Sequence, residues 1–326
     1  MSTQTFADRL RAAAYAKDSR VVVGLDPQWE LLPPSIIAAA REVRGETVDG
    51  IAWAIARFNE QLIAAVAPVA VAVKLQAAFY EQYGWRGVRA MEETVAAARD
   101  HGLLVIIDGK RNDIASSARA YSNAYLGRVP VWGGRTEPAF DADALTVNPY
   151  LGSDGLAPFI EDCDRWGKGV FVLVRTSNPS AGELQDLPLT PGAEGVPAGA
   201  RTVVEALALR LEALNESRRG EGGYGPIGAV VGATYPREAA HLRTLMPSTL
   251  FLVPGYGAQG AGAEDVVPAF DGEGWGAVVN ASRSICYAYR SPQWRDRFPE
   301  HRFADAARAA AEAMRADIAR ALQKAR

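Results

Sequence analysis

Cysteine and histidine are scarce in this chain, which has two cysteines and three histidines among its 326 residues. Cys163 and Cys286 lie far apart and form no C-x-x-C pattern, so we expect neither a disulfide framework nor a metal site built on cysteine and histidine. Basic charge is not in excess either, since 35 basic and 38 acidic residues give a formal net charge of −3. This balance argues against a nucleic-acid-binding protein.

Long apolar runs are also missing. The longest run, residues 62–73, is interrupted by Pro68 and stops at Lys74, well short of the roughly 18 residues that a membrane span requires. The first ten residues already carry Asp8 and Arg9 and lack the apolar core of a secretory signal. We therefore expect a cytoplasmic protein with no membrane partner.

Short β-branched runs alternate with amphipathic, alanine-rich segments along most of the chain. Eight runs predict strands: 21–25, 69–75, 103–107, 144–147, 170–174, 227–231, 249–253 and 277–279. Helical spacing predicts helices between and around them, among them 6–15, 51–66, 88–99, 202–214 and 237–245. Eight such units predict the α/β class and a single (β/α)8 barrel domain spanning 1–326, with its core at about 20–290 and a C-terminal packing helix at about 303–323.

Two segments rich in glycine and proline, 127–143 and 181–199, fit neither strand nor helix. We interpret the first as an insertion. The second follows a predicted strand end, where barrel active sites lie, so we interpret it as a candidate binding loop or lid.

Polar side chains follow the predicted strands at their carboxyl ends, where the chemistry of such barrels takes place. They are Asp26, Lys74, Asp108, Lys110, Asp113, Ser177, Gln259 and Arg283. Asp108 and Lys110 are two residues apart, so on a continuous strand they point to the same side. A nearby carboxylate favours the ammonium form of Lys110, and Lys74 could extend the array. This arrangement suits a cationic acid, whereas a Schiff-base amine needs a lowered pKa.

Simpler interpretations of the same residues stay open. The Asp108 and Lys110 pair could be a structural ion pair at the barrel rim, and Asp113 could be the N-cap of a helix that begins near Ile114. Farther along, three glycines at 255, 257 and 260 allow backbone amides to approach a ligand, and Arg283 offers a fork of donors. Together they predict a phosphate site after the seventh and eighth strands.

These motifs, read in order from Val21 to about Ile285, strongly resemble the orotidine 5′-phosphate decarboxylase family, in its longer bacterial (type 2) branch. The most specific element is the Asp108-x-Lys110-x-x-Asp113-Ile114 run. The resemblance implies a homodimeric barrel with shared active sites that converts orotidine 5′-monophosphate to UMP and carbon dioxide, the last step of de novo UMP synthesis. It also implies that no metal or organic cofactor is needed.

The resemblance further implies a role for each matching position. Lys110 would donate the proton to C6, with Asp108 beside the departing carboxylate and Lys74 near the ribose. The remaining assignments are Asp113 and Ser117 to the partner subunit's site, Asp26 to the ribose hydroxyls, Ser177 to the pyrimidine edge, and Gln259 and Arg283 to the phosphate.

Three residues depart from the family pattern. Ala115 stands where most members carry Gly or Pro, Ser117 where they carry Thr, and Ser282 where many carry Gly before the arginine. None of these changes removes a proposed catalytic group.

Two alternative functions remain: a metal-dependent sugar-phosphate decarboxylase or aldolase of the same superfamily, which would bind magnesium, and a catalytically silent nucleotide-binding barrel.

Overall fold

The structure is a computed structural model that describes residues 4–257 and 260–326. Eight strands form its central sheet: β1 Val21–Leu25, β2 Ala72–Gln76, β3 Leu104–Arg111, β4 Ala144–Val147, β5 Gly169–Arg175, β6 Ile227–Val231, β7 Phe251–Pro254 and β8 Ala277–Ala281. They close into a parallel barrel in the order β1, β8, β7, β6, β5, β4, β3, β2. The predicted (β/α)8 barrel is confirmed.

The described α-helices alternate with these strands. They are α1 Phe6–Ala16, α2 Pro34–Arg44, α3 Val48–Val66, α4 Ala78–Glu81, α5 Gly84–Asp100, α6 Ala115–Tyr125, α7 Ser153–Trp166, α8 Gly182–Gln185, α9 Val203–Asn215, α10 Pro236–Leu245, α11 Ala263–Val266, α12 Arg283–Cys286 and α13 Phe303–Ala325. The last is the predicted C-terminal helix. Among the residues that the structure describes, no helix is both long and apolar enough to cross a membrane.

The two segments predicted as long loops contain short regular elements. An antiparallel pair, Val129–Pro130 with Thr136–Glu137, lies within 127–143, and it turns at Gly133 and Gly134, whose φ angles of 73° and 71° suit glycine. Helix α8 lies within 181–199. The prediction that these segments hold neither strand nor helix was therefore wrong.

Inter-residue contacts divide the chain into two compact units. The first consists of Met1–Ala12, Lys110–Val279 and Arg320–Arg326. Within it, Phe6 of α1 packs edge-on against Phe171 of β5, with ring centroids 5.9 Å apart. Gly169, at the start of β5, lies directly against the Phe6 ring and leaves no room for a side chain. Helix α1 thus covers the amino end of β5.

The second unit consists of Ala13–Gly109 and Asn280–Ala319. Its aromatic core centres on Phe58 of α3, which stacks on Tyr287 at 5.8 Å and on Phe303 of α13 at 5.2 Å. All three rings are buried. The amino-terminal part of α13 is therefore a packing element of this unit.

Candidate active site

Lys74 is a charged residue inside the strand core of the second unit. The parallel register pairs Gly24 of β1 with Lys74 of β2, and Gln76 of β2 with Asp108 of β3. The Lys74 side chain, only 5% exposed, donates from Nζ to Oδ2 of Asp108 at 2.8 Å and lies 4.0 Å from Oδ1 of Asp26. Gln76 donates to the same Asp108 oxygen at 3.1 Å. The strand ends thus bring one ammonium between two carboxylates.

The charge state of Lys74 follows from this geometry. Burial lowers its pKa, whereas the neighbouring carboxylates of Asp108 and Asp26 raise it, and the balance lies above the ordinary value. Lys74 is therefore an ammonium at neutral pH. Oδ1 of Asp26 is buried and accepts no hydrogen bond from the described residues, so it is available to a donor on a ligand.

The end of β8 contributes a further polar group. Asn280 is 6% exposed, and its Oδ1 accepts no hydrogen bond within the described parts of the chain. Neither composition nor spacing gave it a role, although an amide at the end of an apolar strand is a usable signal. Ser282 packs against Gly24, where a Cβ would overlap its hydroxyl. Arg283 follows as the first residue of α12 and is exposed.

Lys110, in the first unit, has an unusual backbone. Its φ is 47°, in the left-handed region, and its N–H donates to Oγ1 of Thr146 in β4 at 2.9 Å. β3 continues to Arg111, four residues beyond the predicted end. A left-handed residue interrupts the side-chain alternation of a strand, so the expectation that Asp108 and Lys110 share one side does not follow from the strand period.

Asp113 lies on the connection from β3 to α6, and Ser117 lies within α6 itself. The N-cap of α6 is Ile114, and Oδ1 of Asp113 accepts from the Ile114 N–H at 2.8 Å. The alternative interpretation of Asp113 as the N-cap residue was therefore wrong by one position. Ser117, in the first turn of α6, is exposed.

Ser177 follows β5, directly after two residues, Arg175 and Thr176, that are held by side-chain contacts. Arg175, whose side chain is 4% exposed, pairs with Asp186 at 2.7 Å and with Glu238 of α10 at 2.6 Å. The Thr176 N–H donates to Oε1 of Gln185 at 3.1 Å, and Nε2 of Gln185 donates back to Oγ1 of Thr176 at 2.7 Å. The register of β5 against β6 shifts between Leu173 and Arg175, an irregularity common beside active sites.

The glycine-rich segment after β7 is described in part. Gly255, Gly257 and Gly260 have φ angles of 107°, 74° and 89°, which only glycine adopts without strain. Gln259, predicted to bind phosphate, lies outside the described residues. The described backbone here is thus shaped by glycine, and the phosphate site after β7 stays a prediction.

The fold and these strand ends define a class: a (β/α)8-barrel enzyme with a buried, carboxylate-bound lysine in β2. Residues 19–293 match the model of the orotidine 5′-phosphate decarboxylase / HUMPS family. The chain therefore belongs to this family, and the predicted family is confirmed. The relatives named below are decarboxylases, that is, carboxy-lyases.

Three of these relatives illustrate the similarity. The orotidine 5′-phosphate decarboxylase of Rhodopirellula baltica is 46% identical over 311 residues, covering 94% of this chain and 96% of the relative. That of Caldicellulosiruptor saccharolyticus is 41% identical over 286 residues, covering 88% and 90%. The solved structure of Leishmania donovani OMP decarboxylase is 30% identical with a TM-score of 0.70, covering 98% of this chain and 99% of that chain.

Proposed function

We propose that this protein decarboxylates orotidine 5′-monophosphate to UMP and carbon dioxide, the last step of de novo UMP synthesis, without a metal or organic cofactor. Family membership over residues 19–293 supports the reaction. The observation that carries the chemistry is the buried Lys74 ammonium, which donates to Asp108 at 2.8 Å. A metal-dependent aldolase or a silent nucleotide-binding barrel is not favoured by any of the relatives described above.

The reaction places a difficult charge on the substrate. When the bond between C6 and the carboxylate breaks, the electron pair stays on C6, where no adjacent carbonyl can delocalise it. A fixed ammonium at Lys110 would stabilise this carbanion and then protonate it, while Asp108 lies beside the departing carboxylate. Charges fixed in advance avoid the reorganisation that water would need. Lys74 would hold Asp108 in place.

Substrate recognition would come from the other strand ends. We assign Asp26, whose Oδ1 accepts no hydrogen bond from the described residues, to the ribose hydroxyls, and Ser177, which follows β5, to the pyrimidine edge. Gln259 and Arg283 would bind the phosphate. Binding energy from this remote phosphate can be used to hold the reacting ring in its productive position.

A homodimer with shared active sites is part of the proposal. Asp113 and Ser117 would reach the partner's substrate, and the exposure of Ser117 and of the neighbouring Ile114, which is 52% exposed, supports contact with another chain. Co-expressing Asp113→Ala chains with Lys110→Ala chains tests this. Mixed dimers should recover partial activity; mixing without recovery would assign Asp113 to its own subunit.

A cytoplasmic location, also proposed, is tested by cell fractionation.

The first experiment follows the ultraviolet absorbance of orotidine 5′-monophosphate with purified protein in excess EDTA. We expect conversion to UMP. Activity that appears only with magnesium would favour the metal-dependent alternative, and none in either condition would favour a silent barrel. Lys110→Ala should then abolish turnover and leave UMP binding measurable. Substantial residual activity would show that the proton donor is misassigned.

A further inference from the structure

The backbone at the end of β1 is held by side chains from other elements of the second unit. Three consecutive carbonyls each accept one hydrogen bond: Gly24 from Sγ of Cys286 at 3.1 Å, Leu25 from the Tyr80 hydroxyl at 3.2 Å, and Asp26 from the Tyr287 hydroxyl at 3.2 Å. Gly24 and Leu25 are the last residues of β1 and Asp26 is the first beyond it, and buried peptide groups need hydrogen-bond partners. The chain is thus fixed at each residue leading to the Asp26 carboxylate.

The Tyr287 hydroxyl makes the contact nearest to that carboxylate. Its oxygen donates to the Asp26 carbonyl and accepts from the Gln28 N–H at 2.7 Å. A single hydroxyl therefore bridges two backbone groups of the turn at 26–28. The ring is 6% exposed and stacks on Phe58 at an interplanar angle of 11°. Packing on the ring holds the hydroxyl in one place.

We infer that Tyr287 is a positioning residue, whose hydroxyl fixes the turn at Asp26 so that the Asp26 carboxylate meets the ribose hydroxyls of the substrate. The inference rests on the proposed function, which assigns Asp26 to the ribose. Oδ1 of Asp26 lies 4.0 Å from Nζ of Lys74 and has no hydrogen-bond partner in the described residues. Its direction is therefore set by the turn and by Lys74.

The three side chains that donate to these carbonyls keep their protons at neutral pH. Burial raises the pKa of the Tyr287 hydroxyl, of the Tyr80 hydroxyl and of the Cys286 thiol. All three groups keep their protons at neutral pH. The contacts at Gly24, Leu25 and Asp26 therefore introduce no titration of their own.

Tyr287→Phe tests the inference by removing one oxygen and keeping the ring. Tyr289→Phe is the matched control, because Tyr289 is 7% exposed and its hydroxyl donates to a backbone carbonyl, that of Leu31, at 2.8 Å. The readout is the affinity for UMP relative to 2′-deoxy-UMP and 3′-deoxy-UMP, measured by calorimetry. We expect Tyr287→Phe to reduce at least one of these ratios by about threefold to tenfold, as for the loss of one hydrogen bond.

Tyr289→Phe should leave both affinity ratios unchanged. Its unfolding midpoint should fall about as much as that of Tyr287→Phe, because each variant loses a buried hydroxyl that donates to a backbone carbonyl. Equal ratios in Tyr287→Phe and the wild type would overturn the positioning role. If Tyr287→Phe does not fold, Tyr80→Phe, which removes the donor to Leu25, takes its place with the same criterion. A wild-type protein that does not bind UMP would instead overturn the proposed function.

Discussion

Lys74→Met replaces the buried ammonium with an apolar side chain of similar length. At 2.8 Å and an effective dielectric constant of about 20, the attraction between Lys74 and Asp108 is about 6 kcal/mol, and that to Asp26 at 4.0 Å is about 4 kcal/mol. Desolvation, several kcal/mol per ion, offsets much of this attraction. Removing the lysine alone leaves both carboxylates without their ammonium, so we expect a stability loss of about 3 to 5 kcal/mol.

Urea unfolding at pH 7 measures this loss, and a double-mutant cycle with Asp108→Asn isolates the pair. We expect the double variant to lose about 2 kcal/mol less than the sum of the two single variants. The folded-state pKa of Lys74 is raised. Its stabilising contribution is therefore complete below the unfolded value of about 10.4 and disappears as pH rises through the folded value. If the losses of the two single variants simply add in the double variant, Lys74 and Asp108 do not stabilise each other. A Lys74→Met variant as stable as the wild type at pH 7 would likewise contradict a stabilising ion pair.

Three further changes test the backbone and the turn after β5. Arg175→Met removes the buried guanidinium that pairs with Asp186 and Glu238 and should lower the free energy of unfolding by about 2 kcal/mol; unchanged urea unfolding would contradict this. Gly24→Ala places a methyl group onto the Ser282 hydroxyl and should cost about 1 to 3 kcal/mol, and adding Ser282→Gly should restore most of it, whereas no restoration would locate the strain elsewhere. Ala115→Gly relieves a φ of 48° and should raise stability by up to about 1 kcal/mol, as thermal unfolding would record; a lowered midpoint would speak against backbone strain there.

The barrel strands were predictable because strands buried on both faces appear as continuous apolar runs. The pair at 129–130 and 136–137 and the four-residue helix α8 were not, since elements this short have no detectable period. β3 passed its predicted end because its pairing with β2 continues to Asp108. Farther on, the Lys110 N–H donates to Oγ1 of Thr146 and the Arg111 carbonyl accepts from the Asn148 N–H.

The candidate site was predictable to the extent that its polar residues lie at, or just beyond, the carboxyl ends of apolar runs in the sequence. Lys74 and Asp108 stand out as charges next to apolar runs. The ion pairs of Arg175 and the hydrogen bond from the Tyr287 hydroxyl to the Asp26 carbonyl could not be predicted in the same way. These contacts join residues separated by up to 261 positions, and no local pattern marks such a pair.

The left-handed backbone of Lys110 has a consequence for the evolution of the protein. For a lysine this conformation costs about 1 to 2 kcal/mol, whereas glycine adopts it freely. Selection for heat resistance alone would therefore favour glycine at position 110, and with it the loss of the proposed proton donor. Stability favours glycine at position 110, whereas the proposed catalysis requires lysine, so thermostable variants should acquire their substitutions elsewhere.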